Sequence, residues 1–128
     1  LIGHYLEPRC INPTFLYDHP AIMSPLAKAH RNDPRLVERF ELFISGFELA
    51  NSYTELNDPF VQINNFEKQQ KDKLMGDVEI PLADELFIDA LKTGLPPCAG
   101  FGLGIERLIM LLTNRNLIRE VVTFAPHT

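Results

Sequence analysis

The stretch Phe40-Glu41-Leu42-Phe43-Ile44-Ser45-Gly46-Phe47-Glu48-Leu49-Ala50-Asn51-Ser52-Tyr53-Thr54-Glu55 decides the fold. Two apolar, aromatic-rich runs flank Ser45-Gly46, a pair suited to a two-residue β-hairpin turn. If Ile44 pairs with Phe47, then Phe43 faces Glu48, Leu42 faces Leu49 and Glu41 faces Ala50. Period-two alternation then predicts one buried face of Phe40, Leu42, Ile44, Phe47 and Leu49. Glu41 and Glu48 fall on the other face as diagonal cross-strand neighbours, roughly 7–8 Å apart.

Two carboxylates on a half-buried face, with no Lys or Arg between them in the hairpin, repel each other unless a cation intervenes. Hard divalent cations take oxygen ligands, and Mg²⁺ takes one or two carboxylates together with substrate phosphates. Solvation of both glutamates on an open sheet face accommodates the same spacing without a ligand. Asn51, Tyr53 and Glu55 have the wrong parity to share a face with Glu48 unless one extra residue intervenes. A β-bulge near Leu49–Asn51 would swing them there and leave Ser52, Thr54 and Leu56 on the apolar face; bulges re-aim side chains beside active sites. A plain strand end with Tyr53 in the core fits the residues as well.

The chain has 128 residues, enough for one domain with a core. Hydrophobic content of 45% and charged content of 23% are ordinary for a globular protein. Twelve Lys and Arg against seventeen Asp and Glu give a net charge of −5, without the bulk basic footprint of a nucleic-acid binder. Cys10 and Cys98 are too few for a disulfide framework and lack metal-ligand spacing, which fits a reducing compartment. No apolar run reaches transmembrane length and no signal peptide is visible, so no membrane partner is expected. Beginning at Leu1 in strand-like sequence, the chain reads as a piece of something longer.

Upstream of the hairpin, Leu1–Leu6 and Thr14–Tyr17 are strand-like runs separated by Pro8 and Asn12-Pro13. Ser24-Pro25 predicts a short helix over Pro25–Arg31, serine as N-cap and proline at the first position. His30 and Arg31 would complement its dipole. Downstream, Asp58-Pro59 repeats that signal for a helix over Pro59–Met75, ending at Gly76. Asp77–Pro81 reads as a loop, and Asp84–Thr93 as a helix closed by Gly94. Asn116–Phe124 is strand-like.

The second informative stretch is Gly94-Leu95-Pro96-Pro97-Cys98-Ala99-Gly100-Phe101-Gly102-Leu103-Gly104-Ile105-Glu106-Arg107-Leu108. Alternating glycines permit close backbone approach by a ligand, yet neither a P-loop nor G-x-G-x-x-G is present. A helix over Gly104–Leu112 would bury Ile105, Leu108, Ile109 and Leu112. Arg107 sits in its first turn, where the dipole disfavours a cation. Either a nearby anion such as a phosphate, or a carboxylate such as Glu106 or Asp84, would compensate it.

Several further blocks stand in order: Ile11-Asn12-Pro13-Thr14-Phe15, Asp18-His19-Pro20, Met23-Ser24-Pro25-Leu26-Ala27-Lys28 and Glu38-Arg39-Phe40-Glu41-Leu42-Phe43. They are followed by Tyr53-Thr54-Glu55-Leu56-Asn57-Asp58-Pro59 and Gly94-Leu95-Pro96-Pro97. Together they resemble the catalytic domain of class II lysyl-tRNA synthetases over essentially the whole chain, and Gly102-Leu103-Gly104-Ile105-Glu106-Arg107 is similar to motif 3 of that class. The resemblance implies an α+β fold, an antiparallel sheet flanked by helices, with residues 1–128 as the C-terminal portion of the catalytic domain. It implies that Glu41 and Glu48 hold Mg²⁺ (or Mn²⁺) on the phosphates of ATP. Asn51 and Tyr53 match residues lining the lysine site, and Glu55 matches the acid that pairs with the ε-ammonium. Arg107 matches the arginine that lies against adenine and reaches the γ-phosphate, and Gly104 lets the nucleotide approach the helix start.

The implied reaction is activation of lysine by ATP, then transfer to tRNA(Lys), by a homodimeric enzyme. Attack of a carboxylate on the α-phosphate needs positioning and charge neutralisation and no nucleophilic side chain. Motifs 1 and 2 and the anticodon-binding domain are not in these residues, so the segment alone is expected to be inactive and, with a sheet edge exposed, to self-associate. Glu106 stands where the lysine enzymes more often carry aspartate; glutamate is usual in aspartyl and asparaginyl relatives. An aspartyl- or asparaginyl-type synthetase, a protein lysyltransferase and a non-catalytic synthetase-like module are the alternatives.

Overall fold

The computed structural model describes residues 2–74 and 85–125. Four strands form one antiparallel sheet in the order β1 (Thr14–Tyr17), β2 (Arg39–Ile44), β3 (Phe47–Thr54) and β4 (Ala99–Leu103). Among the described residues it is accompanied by helices α1 (Pro59–Leu74), α2 (Glu85–Lys92) and α3 (Ile105–Thr113). The α+β architecture implied by the sequence is therefore the observed one. The chain divides into two compact units, one of Leu1–Leu16, Phe40–Ser52 and Phe101–Thr128, the other of Tyr17–Arg39 and Tyr53–Gly100.

In the first unit the hairpin turns where expected. Ser45 and Gly46 have φ of 54° and 79°, the left-handed pair of a type I′ turn. Their N–H groups donate to Ile11 and Cys10 carbonyls at 2.9 and 3.0 Å, which seats the turn on the upstream segment. Counted from this turn, Glu38 would stand opposite Tyr53; instead the Thr54 N–H donates to the Glu38 carbonyl at 2.9 Å. One extra residue therefore lies in β3 between the turn and Thr54, as a bulge requires. Consecutive burial of Leu49 and Ala50 (6% and 3% exposed) breaks the alternation in the expected region.

The predicted buried face is corrected. On β2 the buried residues are Glu41 and Phe43, 8% and 1% exposed, whereas Phe40, Leu42, Ile44 and Phe47 are half-buried. β2 is an interior strand of the sheet, and its other face is half-buried, with the Phe40 ring meeting that of Phe15 on neighbouring β1 edge to face at 5.5 Å. With neither face of β2 fully exposed, alternation no longer identifies the deeper one. Two strand-like runs are also corrected. Ile2–Leu6 is a single helical turn followed by a 3₁₀ turn at Glu7–Arg9, where Pro8 is pre-set for helical φ. Near the C-terminus, Ile118–Glu120 is a 3₁₀ turn, with the Glu120 carboxylate accepting the Leu117 N–H at 3.3 Å. α3 begins at Gly104 and ends on Asn114, whose φ is 51°. Its predicted core face is apolar yet uncovered by the described residues: Ile105, Ile109 and Leu112 are all exposed.

In the second unit no helix forms over Pro25–Arg31. The segment bridges as extended chain, Ala27 with Glu55 and Ala29 with Val37. The Lys28 and His30 N–H groups donate to the Thr54 and Leu36 carbonyls. A seven-residue helix has little stability of its own, so long-range pairing prevails. His30 caps no helix; its Nδ1 accepts the Asn32 and Asp33 N–H groups at 3.2 and 3.3 Å. α1 does start on Asp58, whose Oδ1 accepts the Phe60 and Val61 N–H groups at 2.9 and 3.3 Å. Gln62, fully buried, and Asn65 donate their side-chain amides to the Pro25 carbonyl, tying α1 to the loop that was expected to be helical. α2 buries Ile88 and Leu91, packs on α1 through Phe66 and Phe87, and closes at Gly94 with φ of 109°. The expected end of α1 at Met75 and Gly76, the loop Asp77–Pro81, and Asp84 lie outside the described residues.

Candidate functional site

Of the residues singled out from sequence, Glu41, Glu48, Asn51, Gly104 and Arg107 belong to the first unit, and Tyr53 and Glu55 to the second. In the first unit, the hairpin sets Glu41 on β2 and Glu48 and Asn51 on β3. Glu41 is buried, and Glu48 and Asn51 are half-buried. Among the described residues no three His, Cys, Asp or Glu side chains group as a metal cage. A donor set of two carboxylates suits a hard cation that takes its remaining oxygens from phosphates and water, as Mg²⁺ does, and does not suit zinc.

Gly104 links β4 to α3 and bonds to β3. Its N–H donates to the Leu49 carbonyl at 2.9 Å, and its own carbonyl accepts the Leu108 N–H at 2.9 Å. A Cβ added there would stand 3.3 Å from Arg107 Cδ and 3.5 Å from the Leu49 carbonyl oxygen. The glycine thus allows the Arg107 stem and the β3 backbone to close on the helix start. Arg107 donates through Nη1 to the main-chain carbonyl of Glu48. Among the described residues it forms no ion pair with Glu106, so the first-turn cation is met by a strand carbonyl and not by that carboxylate. The carbonyl offsets only part of a full charge, and the guanidinium, largely exposed, keeps donors for an anion.

In the second unit, Tyr53 and Glu55 emerge on one side of the strand end and Thr54 on the other. The Glu55 N–H donates to the Cys98 carbonyl at 3.0 Å, and the residue bridges Ala27. Its carboxylate lies directly over Gly100: a Cβ added at Gly100 would overlap Glu55 Oε1. Burial, then the nearby Glu55 charge, push the Tyr53 hydroxyl pKa up, and Arg39 partly offsets them. A half-buried carboxylate beside a phenol and over a bare backbone is a setting that favours a cation. Gly100 was not singled out as a site residue. Its only signal was membership of the alternating glycines, which says that space is needed without saying for what.

Residues 4–128 match the family described as tRNA synthetases class II (D, K and N). A lysine–tRNA ligase (cla4) of Cladosporium cladosporioides is 55% identical over 97% of the chain, and one of Aquifex aeolicus is 58% identical over 92%. A protein of Encephalitozoon cuniculi described as a probable cytoplasmic lysine–tRNA ligase is 55% identical over 97%. The chain spans 21%, 20% and 24% of the lengths of these three relatives.

Proposed function

The chain belongs to the class II tRNA synthetases of the D, K and N family, and from that premise we propose that it supplies the metal, nucleotide and lysine contacts of a lysine–tRNA ligase. The observation that carries the lysine reading is Glu55, a carboxylate fixed through its own backbone, beside Tyr53 and over Gly100. An ε-ammonium placed there completes a charge-assisted pair, and a substrate lacking it leaves Glu55 unmet. Glutamate at position 106 is an aspartyl-type feature, but the relatives at 55–58% identity are lysine enzymes.

In this reading Gly102–Arg107 is motif 3, and Glu41 and Glu48 would hold Mg²⁺ or Mn²⁺. The bound ion supplies charge neutralisation on the ATP phosphates. Arg107 lies against adenine and reaches the γ-phosphate, while Gly104 keeps the helix start open to the nucleotide. Asn51 orients the lysine carboxylate, Tyr53 lines the side-chain channel and Glu55 binds its ammonium. Catalysis then consists of holding the lysine carboxylate in line with the α-phosphate. Motif 1, motif 2 and the anticodon-binding domain would belong to the remainder of a longer, homodimeric, cytoplasmic enzyme acting on tRNA(Lys). No helix among the described residues is long and apolar enough to cross a membrane.

The test is amino-acid-dependent ATP–pyrophosphate exchange by the full-length enzyme containing this chain. Lysine should drive exchange, and Glu41→Gln or Glu48→Gln should each lower kcat by about 10²-fold, the scale of losing one transition-state charge contact. Exchange driven by aspartate or asparagine and not by lysine would overturn the assignment. Gly100→Ala provides a narrower check. The added methyl must displace the Glu55 carboxylate, so the lysine KM should rise about tenfold with the ATP KM unchanged. An unaltered lysine KM in that variant would remove Glu55 from the pocket.

A further inference from the structure

We propose that Glu38 is a positioning residue for the lysine contacts, acting through Thr54 from the far side of the strand; this rests on the reading of Tyr53 and Glu55 given above. The Thr54 hydroxyl donates to Glu38 Oε2 at 2.9 Å, and the Arg31 Nε–H donates to Glu38 Oε1 at 2.6 Å. The two main chains are joined as well: the Thr54 N–H donates to the Glu38 carbonyl at 2.9 Å, and the Thr54 carbonyl accepts the Lys28 N–H at 2.8 Å. The Glu38 N–H in turn donates to the Lys28 carbonyl at 3.1 Å. Thr54 is therefore held at its amide, its carbonyl and its hydroxyl, all by the segment running from Lys28 to Glu38.

This grip falls on the residue between Tyr53 and Glu55. In a strand, neighbours point to opposite sides, so fixing the Thr54 side chain fixes the roll of the strand and with it the aim of both neighbours. A roll of about 20° carries a carboxylate some 4–5 Å from the axis through about 1.5 Å, and a 1 Å misplacement can cost about 10²-fold. Glu38 is suited to the task because it stays ionised. Its bonds to Arg31 and then Thr54 hold its carboxyl down at about 2, below the ordinary 4.5. Arg31, with 77% of its side chain exposed, adds little as a surface pair; its part is to keep the second Glu38 oxygen occupied and the carboxylate oriented.

The experiment uses the full-length enzyme and measures lysine and ATP Michaelis constants, kcat and melting temperature for Glu38→Gln, Thr54→Val, Thr54→Ser and the Glu38→Gln/Thr54→Val pair. Glu55→Gln is run beside them. Glu38→Gln and Thr54→Val should each raise the lysine KM about tenfold, the scale of one charge-assisted hydrogen bond, with the ATP KM within about twofold. The double variant should be no worse than either single one, and Thr54→Ser, which keeps the hydroxyl, should behave as the parent. Parallel shifts of both Michaelis constants with a falling melting temperature would show a structural role only and overturn the proposal. So would additive single effects, or a lysine KM unmoved by Glu38→Gln while Glu55→Gln raises it. If Glu55→Gln leaves the lysine KM unchanged, the lysine-site reading itself fails, and positioning by Glu38 falls with it.

Discussion

Glu55→Gln in the full-length enzyme should raise the lysine KM by at least about thirtyfold while the ATP KM stays within about twofold. The substitution preserves shape, the backbone bond to Cys98 and the space over Gly100, and removes only the charge. An ε-ammonium in the pocket then faces a neutral amide. Losing one partner of a desolvated charge pair costs about 2–5 kcal/mol, and 1.4 kcal/mol is a factor of ten, so the lower bound is about thirtyfold. Removing the negative charge beside Tyr53 should also lower the pKa of its hydroxyl, which a spectrophotometric titration can follow. The informative comparison is lysine against norleucine, which lacks the ammonium nitrogen. The ratio of their kcat/KM values should collapse in the variant, since the discrimination resides in the pair and not in pocket shape. If the ATP KM rose instead and lysine use were untouched, Glu55 would belong to the nucleotide, and an aspartyl-type or non-lysine assignment would move ahead.

What was legible in the sequence divides by range. The hairpin was readable because Ser45-Gly46 needs only local chemistry, two residues tolerant of positive φ. The start of α1 was readable for the same reason, Asp58 and Pro59 acting within one turn. The helix expected at Pro25–Arg31 failed because the competing bonds come from Leu36 and Thr54, distant in sequence. The parity mismatch at Asn51 pointed to an extra residue in β3, and the Thr54–Glu38 bond shows that offset directly. Leu49 is buried as expected, but the deeper burial of Glu41 and Phe43 on β2 was not legible, since an apolar alternation on a strand with neither side fully exposed does not rank the sides. At the site, the spacing of Glu41 and Glu48 carried physical content by itself, whereas the roles of Asn51, Tyr53, Glu55 and Arg107 came from resemblance. Glu38 escaped both routes. As an exposed-type residue before a strand it reads as solvated, and its bonds to Arg31 and Thr54 emerge only once 28–38 is seen to run against the strand end.

Arg107→Ala should have the complementary signature, an ATP KM raised about 10²-fold with lysine affinity unchanged. The guanidinium sits in the first turn of α3, where the helix dipole opposes it, and among the described residues the Glu48 carbonyl accepts from it there. In the proposed site an anionic nucleotide would relieve that conflict, and part of the binding free energy of ATP would come from a charge misplaced in its absence. Arg107→Lys separates charge from shape. Lysine keeps the point charge but loses the flat, forked donor set that can stack on a base and bond a phosphate together, so it should recover only part of the loss. Because Arg107 is tied to the main chain of Glu48, which in this reading holds the metal, both variants should also weaken the Mg²⁺ dependence of ATP binding. Calorimetry of ATP and of lysine, each titrated alone into the full-length enzyme over a range of Mg²⁺, measures all three effects. A variant in which ATP binds as in the parent, with its Mg²⁺ dependence intact, would place Arg107 outside the nucleotide site and leave its position in the first turn to be explained by the Glu48 carbonyl alone.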